Sequence, residues 1–280
     1  MAIRRVTIIG CGYVGTAVGV EMVRQGQQVR ATTTTASRVA ELGSQGFETA
    51  VWRAGDVEAL RGLVQDQDAV VLCVAPGARG ADYREVYLRA VESLVASLPD
   101  TRVRRVVYTS STRVYGQDAG EWVDEQSETS PRDENGRVLL KAEKLLLESV
   151  ERLAQTESRA LTATVLRLSG IYGPGRDPAE RALKLAGQAR DDGGEWVNLI
   201  HREDVARAII RMLAITHQGA LNLSDDRPTT RREYYDRQLA RAGAVPIAWV
   251  KPTEGSPCGK RVSNRAIKEL LDLQLQFPHH

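Results

Sequence analysis

The sequence predicts an α/β fold built on a doubly wound parallel sheet. Short apolar runs alternate with helical patterns through the first half of the chain. One of those runs, Ala69–Val74, is apolar throughout, as a strand covered on both faces must be. A glycine-rich turn joins the first run to the first helical pattern close to the N-terminus.

Taken in order, Val6–Ile9 is a short apolar run and reads as a buried strand. A helical pattern over Tyr13–Gln25 stops at Gly26, and Gln28–Thr33 is strand-like. Ser37–Leu42 starts a second helix, which Ser37 is expected to cap. Phe47–Trp52 is the third strand and Val57–Val64 the next helix. Tyr83–Leu98 is amphipathic and ends at Pro99, and Val103–Tyr108 is the strand after it. Gly116–Gly136 is rich in Asp, Glu, Ser and Gly and reads as a long loop, a class that is usually functional or mobile. Val138–Leu153 is a strong helical pattern and Leu161–Leu168 a further strand. Shorter pieces follow: Val205–Ala214 helical, Ala220–Leu223 strand-like, Arg232–Ala240 helical. The expected organisation is a dinucleotide-binding domain over residues 1–170 and a small, discontinuous C-terminal substrate lobe over 171–280. Val205–Leu223 could return to the main sheet.

The turn reads Gly10-Cys11-Gly12-Tyr13-Val14-Gly15, a G-x-G-x-x-G pattern between a strand and a helix. That context makes the pattern informative, and it marks the sheet as Rossmann-type. Gly10 permits the tight turn, Gly12 lets a pyrophosphate approach the backbone, and Gly15 lets helix and strand pack closely. The helix start adds free N–H groups and partial positive charge. The loop, including Cys11, Tyr13 and Val14, is therefore expected to hold a nicotinamide dinucleotide. An acid at the end of the second strand would bind the ribose of NAD. Here that strand ends in Thr32-Thr33-Thr34-Thr35 and Arg38 follows, which leans towards NADP and keeps NAD open.

Composition excludes other classes. Of the 280 residues 42% are hydrophobic and 26% charged, ordinary for a globular protein, and the formal net charge of +2 gives no basic surplus for nucleic acid. Cys11, Cys73 and Cys258 are odd in number and far apart, with no metal-ligand spacing. A reducing cytoplasm is expected, with no metal and no membrane span.

Val106-Val107-Tyr108-Thr109-Ser110-Ser111-Thr112-Arg113-Val114-Tyr115-Gly116 places a cluster of hydroxyls at the end of a buried strand, where an open sheet binds ligands. With the glycine loop, Gly55-Asp56-Val57, Val74-Ala75-Pro76, Leu166-Arg167-Leu168-Ser169-Gly170-Ile171-Tyr172-Gly173-Pro174-Gly175, Leu199-Ile200-His201-Arg202-Glu203-Asp204-Val205-Ala206 and Leu221-Asn222-Leu223-Ser224-Asp225-Asp226, it resembles an extended or atypical short-chain dehydrogenase/reductase of the NAD-dependent epimerase/dehydratase type. The resemblance covers about residues 3–270. It implies that Asp56 and Val57 contact the adenine, and that Val74, Ala75 and Pro76 pass along the ribose and phosphates. It makes Ser111 the catalytic Ser/Thr, brings Tyr172 near the nicotinamide, and adds Arg113 and His201 as substrate-side residues. Asp204 is expected to cap the helix beginning near it. By analogy, Tyr83–Leu98 and Val138–Leu153 suggest a homodimer.

The chain departs from that family at its proton carrier. The family places a Tyr four residues before a Lys on the helix after the long loop. Here the stretch is Asp133-Glu134-Asn135-Gly136-Arg137-Val138-Leu139-Leu140-Lys141-Ala142-Glu143-Lys144. If Lys141 holds the cofactor ribose, Arg137 stands at the Tyr position. If Glu143 aligns with the acid that often follows, the two positions hold Asn135 and Leu139. Neither Arg nor Asn transfers a proton near neutral pH. Another phenol, Tyr115 or Tyr172, could substitute, another residue could supply the proton directly or through water, or the dinucleotide could be bound without turnover; Tyr115 is the candidate carried forward. The expected function is an NAD(P)-dependent oxidoreductase or epimerase/dehydratase-like enzyme for a small, polar, sugar-like alcohol or carbonyl. The competing expectation is a non-catalytic NAD(P)-binding sensor or interaction protein.

Overall fold

Residues 5–9 read Arg-Val-Thr-Ile-Ile, and the last four are buried, so this strand belongs in the middle of a sheet. A computed structural model, which describes residues 3–77, 82–191, 193–251 and 258–277, places it there. The first half runs β1 (Arg5–Ile9), α1 (Tyr13–Arg24), β2 (Gln28–Thr33), α2 (Arg38–Gly43), β3 (Glu48–Val51), α3 (Val57–Val64), β4 (Ala69–Leu72), α4 (Arg89–Ser97) and β5 (Arg105–Ser111). A π-helical turn, Arg84–Leu88, leads into α4, and a 3-10 turn, Thr112–Val114, follows β5. The chain continues with β6 (Ala119–Val123), α5 (Glu134–Thr156), β7 (Thr162–Leu168), β8 (Gly170–Tyr172), α6 (Pro178–Leu183), β9 (Ala189–Arg190), β10 (Trp196–Val197), β11 (Leu199–His201) and α7 (Arg202–Ala214). It ends with β12 (Gly219–Leu223), β13 (Thr229–Thr230), α8 (Arg231–Arg241), β14 (Ala248–Trp249), β15 (Gly259–Val262) and α9 (Arg265–Leu271).

Seven parallel strands form the central sheet in the order β3-β2-β1-β4-β5-β7-β12. The winding direction reverses between β1 and β4, and a ligand crevice opens beyond the strand ends at such a switch. On one face, Val14, Val18 and Met22 of α1 pack with Val205 and Ile209 of α7 and Ile267 of α9. On the other, Leu60 and Val64 of α3 pack with Leu94 of α4 and Leu146 and Val150 of α5. β12 joins the sheet beside β7, with Leu221 paired to Leu166. A separate small core of Ala182, Tyr234, Tyr235, Leu239 and Ile247 holds α6 and α8 together. No helix among the described residues is long and apolar enough to cross a membrane.

Several local expectations are corrected. Ser37 precedes α2 but its side chain caps nothing, because its backbone is already helical. The stretch 116–136 contains a strand, β6, paired with β15 more than a hundred residues away, a partner no local pattern reveals. α5 begins at Glu134, before its apolar periodicity starts, because Asp133 accepts from Gly136 N–H at 2.8 Å. Asp204 does not cap α7. His201 does, its Nδ1 accepting from Glu203 N–H at 3.3 Å. Asp204 is fully buried and accepts the N–H groups of Gln276 (2.9 Å) and Phe277 (3.0 Å), tying down the C-terminal segment.

Candidate functional site

The three loop glycines have three different environments. Gly10 has φ +87°, and a Cβ there would lie 2.9 Å from Cys73 O and Val74 N. A Cβ at Gly15 would lie 2.6 Å from Gly10 O. Both positions exclude a side chain for reasons internal to the fold. A Cβ at Gly12 would meet nothing within 4 Å, so its side faces open space. Gly12 is also the N-cap of α1 and offers no side chain to its free N–H groups, which leaves them available to an anion. The loop is pinned from outside. Gly10 N–H donates to Thr32 Oγ1 at 3.0 Å, and Cys11 N–H donates to Thr32 O at 2.8 Å. The Arg38 guanidinium donates to Cys11 O at 2.8 Å.

This loop floors a cleft of about 870 Å³, at the large end of ligand sites. One end is lined by Thr32–Thr35, Arg38, Trp52, Arg53 and Ala54, the middle by the glycine loop and residues 73–77, and the other end by Ser110, Ser111, Ser169, Ile171 and Arg176. Two residues of this lining, Ser169 and Tyr13, have buried hydroxyl oxygens with no hydrogen-bond partner among the described residues. Open space beside Gly12 and free helix N–H groups fit a dinucleotide laid along the cleft.

Of the hydroxyls closing β5, two are committed. Thr109 Oγ1 donates to Leu72 O at 3.2 Å, and Ser110 Oγ donates to Glu143 at 2.5 Å. Ser111 Oγ accepts from Arg113 N–H at 3.2 Å and keeps its own proton to donate into the cleft. Behind it, Glu143 forms a buried ion pair with Arg167 at 2.8 Å. Burial pushes the Glu143 carboxyl upward against the pull of Arg167 and Ser110.

Not every predicted residue reaches the cleft. Gly10, Cys11, Gly12, Tyr13, Val14, Thr32, Thr33, Arg38, Val74, Ala75, Pro76 and Ser111 line it, and Gly15 packs beneath the loop. Tyr115 does not. It is 2% exposed, its Oη accepts from Arg167 at 2.9 Å, and it lies 2.9 Å from Asn222 Oδ1 and from Asp124 O. Burial raises its phenol above the ordinary value, and the side chain serves the network behind the sheet. Lys141 is exposed on α5 and absent from the lining. Arg113 turns to Asp133, at 2.6 Å. Asp56 caps α3 by accepting from Ala59 N–H, and neither it nor Val57 lines the cleft; Trp52, Arg53 and Ala54 do. His201 stacks on Phe277 with ring centroids 3.6 Å apart and meets Tyr172 edge-on at 5.0 Å, beside the cleft rather than in its lining. Sequence reasoning missed Arg53, Tyr87, Ser169 and Arg176, which the lining contains. The Arg176 guanidinium lies over the Tyr13 ring at 4.0 Å, a contact between loops far apart in sequence.

The pattern of the NAD dependent epimerase/dehydratase family matches residues 6–224. The chain belongs to that family. Membership of that family supports NAD(P) binding. The chain is 31% identical to Protein YeeZ of Escherichia coli (strain K12), over 98% of its own length and 97% of that protein. Among solved structures it is similar to a functionally unknown conserved protein from Silicibacter pomeroyi DSS, with a TM-score of 0.77 and 27% identity over 99% of this chain and 95% of that one. It shares its fold, at a TM-score of 0.77 and 21% identity over 97% and 93% of the two chains, with MoeE5, solved in complex with UDP-glucose and NAD.

The structure bears on both alignments of the family's Tyr and Lys. Glu143, buried against Ser110 and Arg167, fixes which face of α5 meets the sheet. One turn earlier on that face is Leu139, 1% exposed in an apolar cluster with Val114 and Tyr115. Arg137 is exposed and paired with Glu134. Neither alignment of the family's Tyr and Lys therefore puts a proton-transfer group from α5 in the cleft.

Proposed function

We propose that the chain is an NAD(P)-dependent oxidoreductase for a small polar alcohol or carbonyl, with NADP as the preferred cofactor. The observation that carries this reading is Ser111, whose uncommitted hydroxyl faces the same cleft that the glycine loop floors. A nicotinamide bound there supplies or accepts hydride. The chain's own part is to bind and polarise. Gly12 and the start of α1 hold the pyrophosphate, with Val74–Pro76 along it. Ser111 donates to the substrate oxygen as charge develops on it, and the β5 network keeps that hydroxyl in place. Arg176, in the same lining, fits a polar substrate group.

The preference for NADP is supported by the end of β2. Four threonines, Arg38 and Arg53 line the cleft there, with no acid among them. Arg53 donates to Thr34 O at 3.2 Å, and Arg38 is held by Glu41 and Cys11 O. A charge-assisted hydrogen bond to a 2′-phosphate contributes about 1.5–3 kcal/mol, roughly ten- to a hundredfold in affinity. Calorimetric titration is expected to show NADPH binding at least about tenfold tighter than NADH, and Arg38→Ala removing most of that difference. Equal affinities for the two would overturn the NADP assignment, and binding of neither would overturn the function.

The empty α5 position favours one second reading, an NAD(P)-binding sensor without turnover. Binding without any reduction or oxidation of small polar substrates, together with indifference to Ser111→Ala in the cell, would select it.

A further inference from the structure

The cleft contains one phenol that the family pattern does not assign. Tyr87 belongs to the π-helical turn Arg84–Leu88, and π turns concentrate at functional sites. The turn packs on α5, and Tyr87 rests against the apolar cluster of Val114, Tyr115 and Leu139. Tyr87 lines the same cleft as Ser111 and the glycine loop. Leu139 occupies the family's Lys position when Glu143 sets the alignment. Tyr87 thus stands beside the place from which the usual Tyr and Lys are missing, but it comes from a different helix.

We infer that Tyr87 is the proton donor of the reaction, delivering its phenolic proton to the substrate oxygen that Ser111 polarises. This rests on the oxidoreductase reading. In the reductive direction the carbonyl carbon receives hydride from the nicotinamide dinucleotide. The carbonyl oxygen takes the Tyr87 proton, the phenolic O–H bond breaks, and a carbinol O–H bond forms. The phenolate left behind is reprotonated by water.

The surroundings keep the phenol in its protonated form. Burial, with a smaller contribution from Tyr83 at 5.1 Å between ring centroids, pushes the Tyr87 phenol up to about 12, and Arg113 pulls it partly back. The phenol therefore stays protonated through the neutral range. Arg113, itself paired with Asp133, is the nearby cation that offsets part of the burial cost on the phenolate after transfer.

The test uses the full chain with NADPH and two small polar carbonyl probes, glyceraldehyde and dihydroxyacetone. Tyr87→Phe is expected to lower the reduction rate by about a hundredfold or more, with NADPH affinity unchanged. Replacing Tyr87 by a fluorotyrosine gives a second readout that does not depend on turnover. Its fluorine NMR resonance is expected to move when NADPH and either probe are added. A rate within about twofold of the original in Tyr87→Phe would overturn the proposal. So would a fluorine resonance that stays still although NADPH binds, whether or not either probe is reduced. Failure of the unaltered chain to bind NADPH is a different outcome, because it removes the oxidoreductase reading and Tyr87's role with it.

Discussion

Alanine at Gly12 and alanine at Gly15 should separate cofactor binding from folding. The two residues sit three apart, Gly12 at the N-cap of α1 and Gly15 in its first turn, and differ in what a methyl group would meet. At Gly12 the added Cβ finds nothing within 4 Å. The folding cost is then that of alanine in place of glycine at a helix N-cap, about 1 kcal/mol. For a chain of 280 residues that lowers Tm by roughly 2–4 °C. The same methyl stands where a pyrophosphate must touch backbone, so NADPH affinity should fall by at least about tenfold, or 1.4 kcal/mol. At Gly15 the Cβ lies 2.6 Å from Gly10 O and 3.1 Å from Ile8 Cγ2. A carbonyl and a strand side chain must both give way, an overpacking cost of about 1–3 kcal/mol, and Tm should fall on the order of 5 °C. Thermal melting measures the first quantity. The second is read from tryptophan emission, because Trp52 lines the cleft and reports its occupancy. Undiminished NADPH binding by Gly12→Ala would refute the placement of the pyrophosphate. A Gly15→Ala protein as stable as the parent would refute the packing account.

Two further predictions concern groups outside the cleft. Glu143→Ala strands the Arg167 charge in a site where the two side chains are 2% and 8% exposed, so urea unfolding should show a loss of about 3–5 kcal/mol, and Glu143→Gln a smaller one. His201 must be neutral at Nδ1 to cap α7, and burial lowers its pKa below the ordinary value against the pull of Asp204 and Glu203. A depressed folded pKa means that the unfolded chain binds the proton more readily, so this stability is present above about pH 6.5 and is lost as pH falls. His201→Asn keeps a cap acceptor without the titration. Melting temperatures recorded between about pH 7 and pH 5 should therefore fall less steeply in that variant, with His217, also lowered by burial, retaining part of the slope. An unchanged slope would remove His201 from the pH response.

The dinucleotide half of the site was legible because its determinants are local. Strand, turn and helix follow one another within residues 5–24, and each glycine's role depends on neighbours a few positions away or on the adjacent strand. The chemical half depends on contacts between distant segments. Tyr115 carried the right group in the right motif, yet Asn222 and Arg167 engage it behind the sheet, and no spacing in 106–116 encodes that. Lys141 had the right charge on the right helix, but its direction follows from Glu143 docking against β5 and β7. Tyr87 was hidden for the opposite reason. Within an amphipathic helical pattern an aromatic reads as core, and only the packing of the turn on α5 brings it to the cleft.

The network behind β5 also explains how a site can keep one half of its machinery without the other. Glu143 accepts from Ser110 and Arg167, and Arg167 reaches Tyr115, so the end of β5 is held by side chains that never enter the cleft. Arg113 adds a second hold, its N–H on Ser111 Oγ and its guanidinium on Asp133, the residue that starts α5. Together these contacts orient the Ser111 hydroxyl while asking nothing of positions 135 and 139. On the proposed reading, a site that draws no proton carrier from α5 still keeps Ser111 in place as the polarising group. The proton can then come from any donor that the cleft presents to the same substrate oxygen, and the π-helical turn beside α5 carries a phenol suited to that task.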